Sequence, residues 1–515
     1  MEEKENSEAI QERKDKLKKF FFGWIEDKYD KYFLVVLILA IAIRLYYFFL
    51  TMDQTLWHDE AEYVAMAKNY LGDAVYILNP QRTFIFSGII SLFFLFNLSE
   101  HIIRLFLVVL PSTTLVFIIY LLGKEMFNKK IGLIASLLIS VSWTLLFWTA
   151  RMQPDFVSMC FQTLSILFMW KYWKSSKTKL IIYSAIFASL GFQFKVSGML
   201  VPGIFFVFLI FKDKFSFLIK KDYWIFLGGF LLLLIPQFIH SYIIFKNPFA
   251  LFGTSYVTVV ADSQPFAWYN LNFYYLFTEN VLFYLFLIGV VFSLSFLLYI
   301  DVILRDKNKS LNPDFFSILV LILISAYYIF WIKGTDDRWV FLWLPFIFFI
   351  IGKALLLIYN NLKKYHKLLA LIVILSLLGY GVFSQMQHAD SIIKIKKDSY
   401  LQVKQAAYWM KDNSNPKDLI VSASYPQTVY YSERRVQYFR PTFENETSFN
   451  NFVNLEEPKF VVVSVFESHL PWELNWVEEN NYRLVPVQAY FSDEIKTNAL
   501  LIIYEVNYSI SLPTN

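Results

Sequence analysis

The sequence predicts a polytopic α-helical membrane protein with a C-terminal extracytoplasmic α/β domain. Of its 515 residues, 57% are hydrophobic and only 17% are charged, and the mean hydropathy is +0.45. Apolar runs near the roughly 20 residues that cross a bilayer recur through the first three quarters of the chain. This composition is typical of a membrane protein with many spans rather than of a soluble enzyme.

The chain begins with "MEEKENSEAIQERKDKLKKFFFGW", a charged stretch that we expect to be helical. It lacks the short basic region and small-residue cleavage site of a signal peptide, so we predict that residues 1–31 form a cytoplasmic tail. Cys160 is the only cysteine and lies in an apolar run. A single thiol excludes a disulfide framework and a thiolate metal site.

Eleven apolar segments are candidate membrane spans, judged by length and hydropathy. They lie at 32–50, 105–122, 131–149, 156–173, 180–197, 198–211, 223–244, 281–300, 315–332, 339–358 and 368–385. A further run at 84–98, "FIFSGIISLFFLFNL", is short for a span. Its placement decides the topology of everything that follows it.

The positions of the basic residues indicate that 84–98 does not cross. Loops rich in lysine and arginine usually face the cytoplasm. Without a crossing at 84–98, five basic clusters share the side of the N-terminus, namely Lys124, Lys129 and Lys130; Lys171, Lys174, Lys177 and Lys179; Lys212, Lys214, Lys220 and Lys221; Arg305, Lys307 and Lys309; and Lys363, Lys364 and Lys367. We therefore interpret 84–98 as an interfacial or re-entrant helix on the outer surface of the cell membrane.

This topology divides the chain into three parts. The transmembrane domain covers 32–385 and carries two large outer loops, at 51–104 and at 245–280. Beyond about 386, "SYLQVKQAAYWMKDN" has the spacing of an amphipathic helix. The segments "DLIVSAS", "KFVVVSVFE", "RLVPVQAYF" and "NALLIIYEV" are typical of short strands. Residues 386–515 are therefore predicted to form the extracytoplasmic α/β domain.

Charged residues at the predicted outer ends of the spans form the candidate site. They come from distant parts of the chain but share one membrane depth: Asp59, Glu60, Glu62, Arg82, Arg104, Arg151, Asp155, Lys195, Asp336, Asp337 and Arg338. Cations hold phosphate, a carboxylate removes a proton, and fixed positive charge stabilises a departing phosphate. This combination is typical of a transferase that uses a lipid-phosphate donor.

Structural roles stay open for several of these groups. Lysine and arginine at span ends also extend toward lipid headgroups. Arg151 and Asp155 are spaced for a local ion pair, and the "DDR" of 336–338 also suits a polar turn between two spans. The three carboxylates of "HDEAEY", residues 58–63, are harder to explain in this way, because they repel one another beside a membrane span.

The segment "WHDEAEYVAMAKNYL" resembles the Asp-Glu loop of the GT-C glycosyltransferases, specifically the superfamily of protein O-mannosyltransferases and aminoarabinose transferases. The matching residues are Trp57, Asp59, Glu60, Tyr63 and Ala67. Later segments match in the family's order through Arg104, through Arg151 and Asp155 of "WTARMQPDF", through Lys195 and Pro202, and through Arg338, Trp339 and Pro345. The chain departs from the family's (K/H)-P-P-L motif, where it has "LNPQRTFIF" and Arg82 takes the place of Lys or His.

The resemblance implies an inverting transferase that moves a monosaccharide from a polyprenyl phosphate, of the dolichyl or undecaprenyl type, to a protein, glycan or lipid acceptor outside the membrane. It implies a catalytic pair, Asp59 and Glu60, with Asp59 as general base. Arg82, Arg104, Lys195 and Arg338 would bind the donor phosphate, and Trp57, Tyr63, Arg151 and Asp155 would line or brace the cavity. No cofactor is implied. His58 and Glu62 are the candidate ligands if a divalent cation binds, and no nucleic-acid partner is expected.

Other functions stay open at this point. An oligosaccharyltransferase also carries acids in its first outer loop, but residues 386–515 contain no W-W-D-Y-G-type motif. A lipid-sugar transporter or flippase would concentrate polar residues near the membrane midplane, where Arg44 is the one charged residue deep in an early span. A scaffold that binds a partner through its outer domain is the third alternative. The sequence identifies neither the sugar nor the acceptor.

Overall fold

The computed structural model describes residues 25, 27–73, 75–253, 271–295, 312–332, 336–438, 442–443, 445–467, 471–492 and 497–509. Three predicted features lie outside these residues: most of the N-terminal tail, the centre of the 245–280 loop and the basic cluster of Arg305, Lys307 and Lys309.

The described residues from Lys28 to Lys396 form a helical bundle. Its helices are α1 (Lys28–Leu50), α2 (His58–Tyr70), α3 (Phe84–Leu95), α4 (Glu100–Met126), α5 (Lys129–Val141), α6 (Trp143–Thr149), α7 (Asp155–Ser175), α8 (Thr178–Phe194), α9 (Leu200–Asp213), α10 (Lys221–Phe245), α11 (Leu271–Thr278), α12 (Asn280–Ser293), α13 (Pro313–Ala326), α14 (Leu344–Leu362) and α15 (Lys367–Lys396). Most of their buried side chains belong to one large apolar core.

The chain is a multi-pass membrane protein, but its exact number of spans stays a prediction. Within the described residues, seven helices are long and apolar enough to cross a membrane, or eight if the bent pair α5 and α6 counts as one span. The helices α8 and α12 are apolar but shorter. Helix α3 has 12 residues, about 18 Å at 1.5 Å per residue, which is less than the hydrocarbon thickness of roughly 30 Å. It cannot cross alone, and it ends at Leu95 rather than at 98.

Lysine-rich contacts mark one end of the bundle. Near the start of α1, Asp30 is fully buried and its carboxylate lies 2.9 Å from the ammonium group of Lys129 and 3.6 Å from that of Lys124. The hydroxyl of Tyr120 donates to the same carboxylate at 2.5 Å. The other end of α1 leads into the 51–56 segment, so the lysines and the Asp-Glu loop lie at opposite ends of this helix.

Arg44 is a structural residue of the bundle interior. Helices α5 and α6 meet at a bend of 53°, which leaves carbonyl groups of α5 without their helical partners. The fully buried guanidinium of Arg44 donates to the carbonyl of Ser140 at 3.1 Å and to the hydroxyl of Ser112 at 2.7 Å. Because these bonds account for its burial, Arg44 gives no support to the transporter alternative.

A sheet domain follows the bundle. Its elements are α16 (Leu401–Asp412), β1 (Leu419–Ser422), α17 (Tyr425–Ser432), β2 (Arg435–Gln437), α18 (Glu446–Glu456), β3 (Phe460–Ser464), α19 (Pro471–Glu479), β4 (Leu484–Phe491) and β5 (Ala499–Val506). The strand order is β2-β1-β3-β5-β4. Strand β1 pairs in parallel with β2 and β3, whereas β5 pairs antiparallel with β3 and β4. Strand β2 therefore forms one edge.

The predicted helix and four predicted strands of this domain correspond to α16, β1, β3, β4 and β5. Helices α17, α18 and α19 and strand β2 are not among the predicted elements, and the end of α15 also differs from the prediction. Strand β2 has only three residues, too few to produce an alternating pattern. The last bundle helix continues to Lys396 instead of ending at 385. The predicted end followed the apolar run, whereas the last turns of the helix are polar and lie beyond that run. The sheet domain therefore begins with α16.

The sheet domain is anchored to the Asp-Glu loop. The hydroxyl of Tyr431 accepts from the backbone N–H of Leu56 at 3.0 Å, and that of Tyr430 donates to Glu100 at 2.5 Å. Apolar residues of α2 and α17, such as Val64 and Val429, share one buried cluster. The loop thus lies between the bundle and the sheet domain.

Candidate active site

Glu60 fixes the start of helix α2. One of its carboxylate oxygens accepts from the backbone N–H of Trp57 at 2.7 Å, which caps the helix, and the other accepts from the backbone N–H of Met152. The Arg151 guanidinium lies 3.7 Å from Glu60 and 3.6 Å from the ring centroid of Trp57. Glu60 and Arg151 are both buried, so they join the loop to the segment before α7.

Asp59 points away from this buried contact, because successive helical residues are about 100° apart. Its Oδ1 lies 2.7 Å from Nη2 of Arg82, and its Oδ2 lies 2.7 Å from Nη1 of Arg338. Burial alone would raise the pKa of Asp59. The charges of Arg82 and Arg338, with the nearby His58 imidazole and a hydrogen bond from Arg338, instead hold the pKa well below its usual range. Asp59 is thus a carboxylate between two guanidinium groups.

Arg82 connects Asp59 to a second carboxylate. Its Nε donates to Glu62 at 2.6 Å, and the other oxygen of Glu62 accepts from the side-chain amide of Asn79 at 2.5 Å. The Arg82 guanidinium lies 5.1 Å from the ring centroid of Tyr63. These contacts hold the guanidinium plane beside the first turn of α2.

Arg338 comes from the turn before α14, where the sequence has "DDR". Two of its nitrogens donate to Asp336, at 3.0 and 2.6 Å, so only Nη1 reaches Asp59. The neighbouring Asp337 accepts from the indole N–H of Trp148 at 2.7 Å. Burial, followed by the charge of Asp336, raises the pKa of Asp337 to about 7.

Lys195 and Asp155 form a further ion pair beside Arg338. The Lys195 ammonium contacts Oδ1 of Asp155, and both residues line a small void with Arg338. Oδ2 of Asp155 is buried and has no hydrogen-bond partner among the described residues. Arg151 pairs with Glu60 and Asp155 with Lys195, so in the described structure the local ion pair expected from their spacing is replaced by two long-range pairs.

Arg104 bonds backbone carbonyl groups rather than the carboxylates of this network. Only 1% of it is exposed, and its guanidinium donates to the backbone carbonyls of Thr51 and Met52 at 2.9 and 3.3 Å. It holds the exit of α1 against α4. Its predicted contact with a phosphate stays a prediction, and its placement favours a structural role.

An aromatic cavity of about 380 Å³ lies beside two of the predicted phosphate-binding cations, Arg82 and Lys195. Its lining includes Tyr63, Arg82, Phe194, Lys195, Tyr328 and Trp339. We call it the aromatic cavity. A space of this size, apolar with two positive groups on its wall, suits an anion attached to an apolar chain.

A second space of about 380 Å³, the domain cleft, lies between α2 and the sheet domain. Its lining includes His58, Glu62, Asn79, Tyr425, Gln437 and Tyr438. Because Arg82 lines the aromatic cavity and its partner Glu62 lines the domain cleft, this ion pair joins the two spaces. Asp59 contacts Arg82 at the same place.

The candidate cation ligands have other partners. Glu62 is bonded to Arg82 and Asn79, and the imidazole Nδ1 of His58 lies 3.8 Å from Asp59. Burial lowers the pKa of His58, but its contact with Asp59 and the charges of Glu62 and Asp59 outweigh this and raise the pKa. No group of three or more His, Cys, Asp or Glu suited to a metal occurs within the described residues.

Sequence reasoning missed three kinds of residue around this network. Trp148 stacks beneath Arg338, at 4.7 Å from the guanidinium to the ring, and also bonds Asp337. Asn79 orients Glu62. Tyr425 and Tyr438 bring the sheet domain to the loop. The aromatic-rich "WTLLFWTARM" was a usable signal for Trp148, whereas the other residues carry none, since their approach depends on domain packing.

Two comparisons with known proteins bear on this arrangement. Residues 81–242 match the family model described as dolichyl-phosphate-mannose-protein mannosyltransferase. No curated protein matches the chain in sequence.

Solved structures share its fold at low sequence identity. The archaeal oligosaccharyltransferase AglB from Archaeoglobus fulgidus, in complex with an inhibitory peptide and a dolichol-phosphate, has a TM-score of 0.62 at 14% identity and covers 95% of this chain and 76% of its own. ArnT from Cupriavidus metallidurans bound to undecaprenyl phosphate has a TM-score of 0.57 at 11% identity, over 90% of this chain and 97% of its own.

The arabinofuranosyltransferase AftD from Mycobacteria has a TM-score of 0.57 at 12% identity, over 92% of this chain and 40% of its own. At these identities the likeness concerns the fold, and it extends through both the helical bundle and the sheet domain. Together with the family match over residues 81–242, it supports the resemblance of this chain to the GT-C glycosyltransferases of the protein O-mannosyltransferase and aminoarabinose transferase superfamily.

Proposed function

We propose that this protein is an inverting glycosyltransferase that moves a monosaccharide from a polyprenyl phosphate, dolichyl or undecaprenyl, to an acceptor at the outer face of the cell membrane. The observation that carries the proposal is the meeting of Asp59 with Arg82 and Arg338, each at 2.7 Å, beside a cavity with an apolar wall. Carboxylate base, phosphate-binding cations and room for a lipid-linked group are the parts that this reaction needs.

The donor would place its phosphate at Arg82 and Lys195, with its first isoprene units against the aromatic rings of the cavity. Arg338 would reach the same phosphate through Nη1, the one guanidinium nitrogen that does not donate to Asp336. These three cations come from separate parts of the chain, so the donor would be gripped by groups whose positions the whole bundle fixes.

In the chemical step, Asp59 would take the proton of the acceptor hydroxyl while the hydroxyl oxygen forms a bond to the anomeric carbon. The bond between that carbon and the phosphate oxygen breaks, and its electron pair stays on the phosphate. Arg82, Lys195 and Arg338 would stabilise the developing charge. Attack from the side opposite the phosphate inverts the anomeric configuration. Glu60 would contribute indirectly, by holding the first turn of α2.

A carboxylate held by two guanidinium groups is a weak base, because its pKa lies well below the usual range. We propose that the donor corrects this. Its phosphate oxygens attract the same guanidinium groups, and each bond that Asp59 loses raises the pKa of Asp59. The base would therefore become effective only when a donor is bound, which limits side reactions in its absence.

The orientation of the protein belongs to the same proposal. We propose a cytoplasmic N-terminus, eleven spans and an extracytoplasmic sheet domain, supported by the lysines at the end of α1 remote from the Asp-Glu loop. A reporter fused after residue 390 should be active only outside the cytoplasm, and activity in the cytoplasm would contradict this orientation.

The activity is tested with the full-length protein in lipid nanodiscs and with undecaprenyl-phosphate hexoses and pentoses as donors. We expect sugar transfer or release, and we expect Asp59→Asn to reduce it at least about a hundredfold, the lower range for loss of a general base. Asp53→Asn is the matched control, since Asp53 lies in the same loop and its side chain is 88% exposed. Undiminished activity of Asp59→Asn, or sugar translocation without bond cleavage, would exclude the proposed mechanism.

A further inference from the structure

We propose that the domain cleft is the acceptor site and that the acceptor is a glycan, an inference that rests on the proposed glycosyl transfer. The cleft lies where an acceptor must lie. His58 forms part of its lining, and its Nδ1 is 3.8 Å from Oδ1 of Asp59. A hydroxyl group bound beside His58 would therefore lie close to Asp59, the proposed base.

The cleft and the aromatic cavity meet at one ion pair. Arg82 faces the cavity, Glu62 faces the cleft, and the bond between them is 2.6 Å long. A phosphate that draws Arg82 toward the cavity also loosens its contacts with Glu62, which lines the cleft, and with Asp59. Donor binding would thus free two carboxylates toward the acceptor.

The lining has the chemistry that recognises a sugar ring. The Tyr425 and Tyr438 rings lie 6.0 Å apart and present aromatic faces, with Pro426 beside them. Glu62, Asn79, Gln437 and Thr442 add carboxylate, amide and hydroxyl groups. Sugars have apolar C–H faces and polar edges, so they need aromatic faces and hydrogen-bonding groups in one pocket. The volume of about 380 Å³ is in the range of small-molecule pockets.

A peptide or a lipid chain fits this lining less well. Among the described strands, β2 lies at an edge of the sheet, and its Val436 and Gln437 line the cleft, so an extended peptide would bind by adding a strand to it. However, β2 has only three residues. A peptide paired with it would form few backbone hydrogen bonds and would therefore bind weakly. A lipid chain would remove water from the polar groups of the cleft and offer no hydrogen bond in return.

The test uses the full-length protein in nanodiscs with undecaprenyl-phosphate hexoses and pentoses as donors. Two acceptor probes are compared: a pool of di- to tetrasaccharides of glucose, mannose, galactose and N-acetylglucosamine, and a pool of Ser/Thr peptides. Release of sugar to water is measured in parallel, because it requires the donor site but no acceptor site. Tyr425→Leu and Tyr438→Leu each remove one aromatic face. Tyr408→Leu is the control, since Tyr408 is an exposed tyrosine of the same domain outside the cleft.

We expect transfer to saccharides, with KM raised on the order of tenfold by each cleft variant and unchanged by the control. Release of sugar to water and the melting temperature should stay as in the wild type. Transfer to peptides only, no saccharide transfer despite sugar release, or a KM insensitive to both variants would each overturn the inference. If one variant fails to fold, the other decides. Absence of both release and transfer in the wild type would refute the proposed function itself.

Discussion

Removal of the Asp59 charge should tighten the binding of the donor phosphate while it abolishes sugar transfer. Asp59 and a phosphate would compete for the same nitrogens, Nη2 of Arg82 and Nη1 of Arg338. In Asp59→Asn, the amide is a weaker acceptor and carries no charge, so both nitrogens become available and electrostatic repulsion of the phosphate falls. Loss of a group that only positions the loop would weaken binding instead.

The magnitude follows from the geometry of the two bonds. A hydrogen bond between charged groups contributes about 1.5 to 3 kcal/mol, and an exposed ion pair about 0.2 to 1 kcal/mol. The Asp59 side chain is 24% exposed, so its bonds are intermediate between a buried charged hydrogen bond and a fully exposed ion pair. We therefore take about 1 kcal/mol for each bond. Release of both corresponds to about 2 kcal/mol, or roughly thirtyfold in Kd.

The assay is titration of undecaprenyl phosphate, without a sugar, into nanodiscs that contain the wild type or Asp59→Asn. Asp53→Asn controls for the general effect of one negative charge fewer on the loop. Arg82→Gln combined with Asp59→Asn should lose most of the gain, because one of the two freed cations is then missing. An unchanged or weaker affinity of Asp59→Asn would refute competition between the carboxylate and the phosphate.

Three further predictions concern stability, pH and metal ions. Glu60→Gln should lower the free energy of unfolding by about 2 to 4 kcal/mol, because it places amide hydrogens against one of the two backbone N–H groups that Glu60 accepts from and leaves Arg151 buried without its countercharge. Glu125→Gln, at a partly exposed pair with Lys174, should cost less than about 1 kcal/mol, and equal melting temperatures would contradict the bracing role. The pKa of Asp337 is raised to about 7 from 3.8, so between these pH values the folded state binds more protons than the unfolded state and stability falls as pH rises. The melting temperature of Asp337→Asn should therefore exceed that of the wild type at pH 8 but not near pH 4. A gain in melting temperature that is independent of pH would count against this. EDTA should leave transfer unchanged, as measured by initial rates, and a loss that Mg²⁺ or Mn²⁺ restores would show that a cation takes part.

Much of the fold was predictable because membrane insertion depends on local sequence. A span needs a continuous apolar stretch, and the lysine-rich loops indicate orientation, so the helices could be placed from hydropathy and charge alone. Sequence was less informative for α3, α8 and α12, which are apolar but shorter than a typical span. Whether such a helix crosses the bilayer depends on how it packs against its neighbours. Sequence was also less informative for α15, where a helix continues into polar sequence because nothing interrupts it before Lys396.

By itself the sequence determined which residue types are available for the site: the acids of "HDEAEY" and basic residues at the ends of several predicted spans. Only the tertiary structure decided their pairing. In it Arg82 and Arg338 both contact Asp59, and Glu60 is buried and caps the start of α2. Arg104 bonds backbone carbonyl groups instead of these carboxylates. The reason is physical. Side-chain depth follows from position along a helix, whereas pairing depends on the rotation and contact of helices distant in the chain, and the domain cleft exists only because the sheet domain packs on α2.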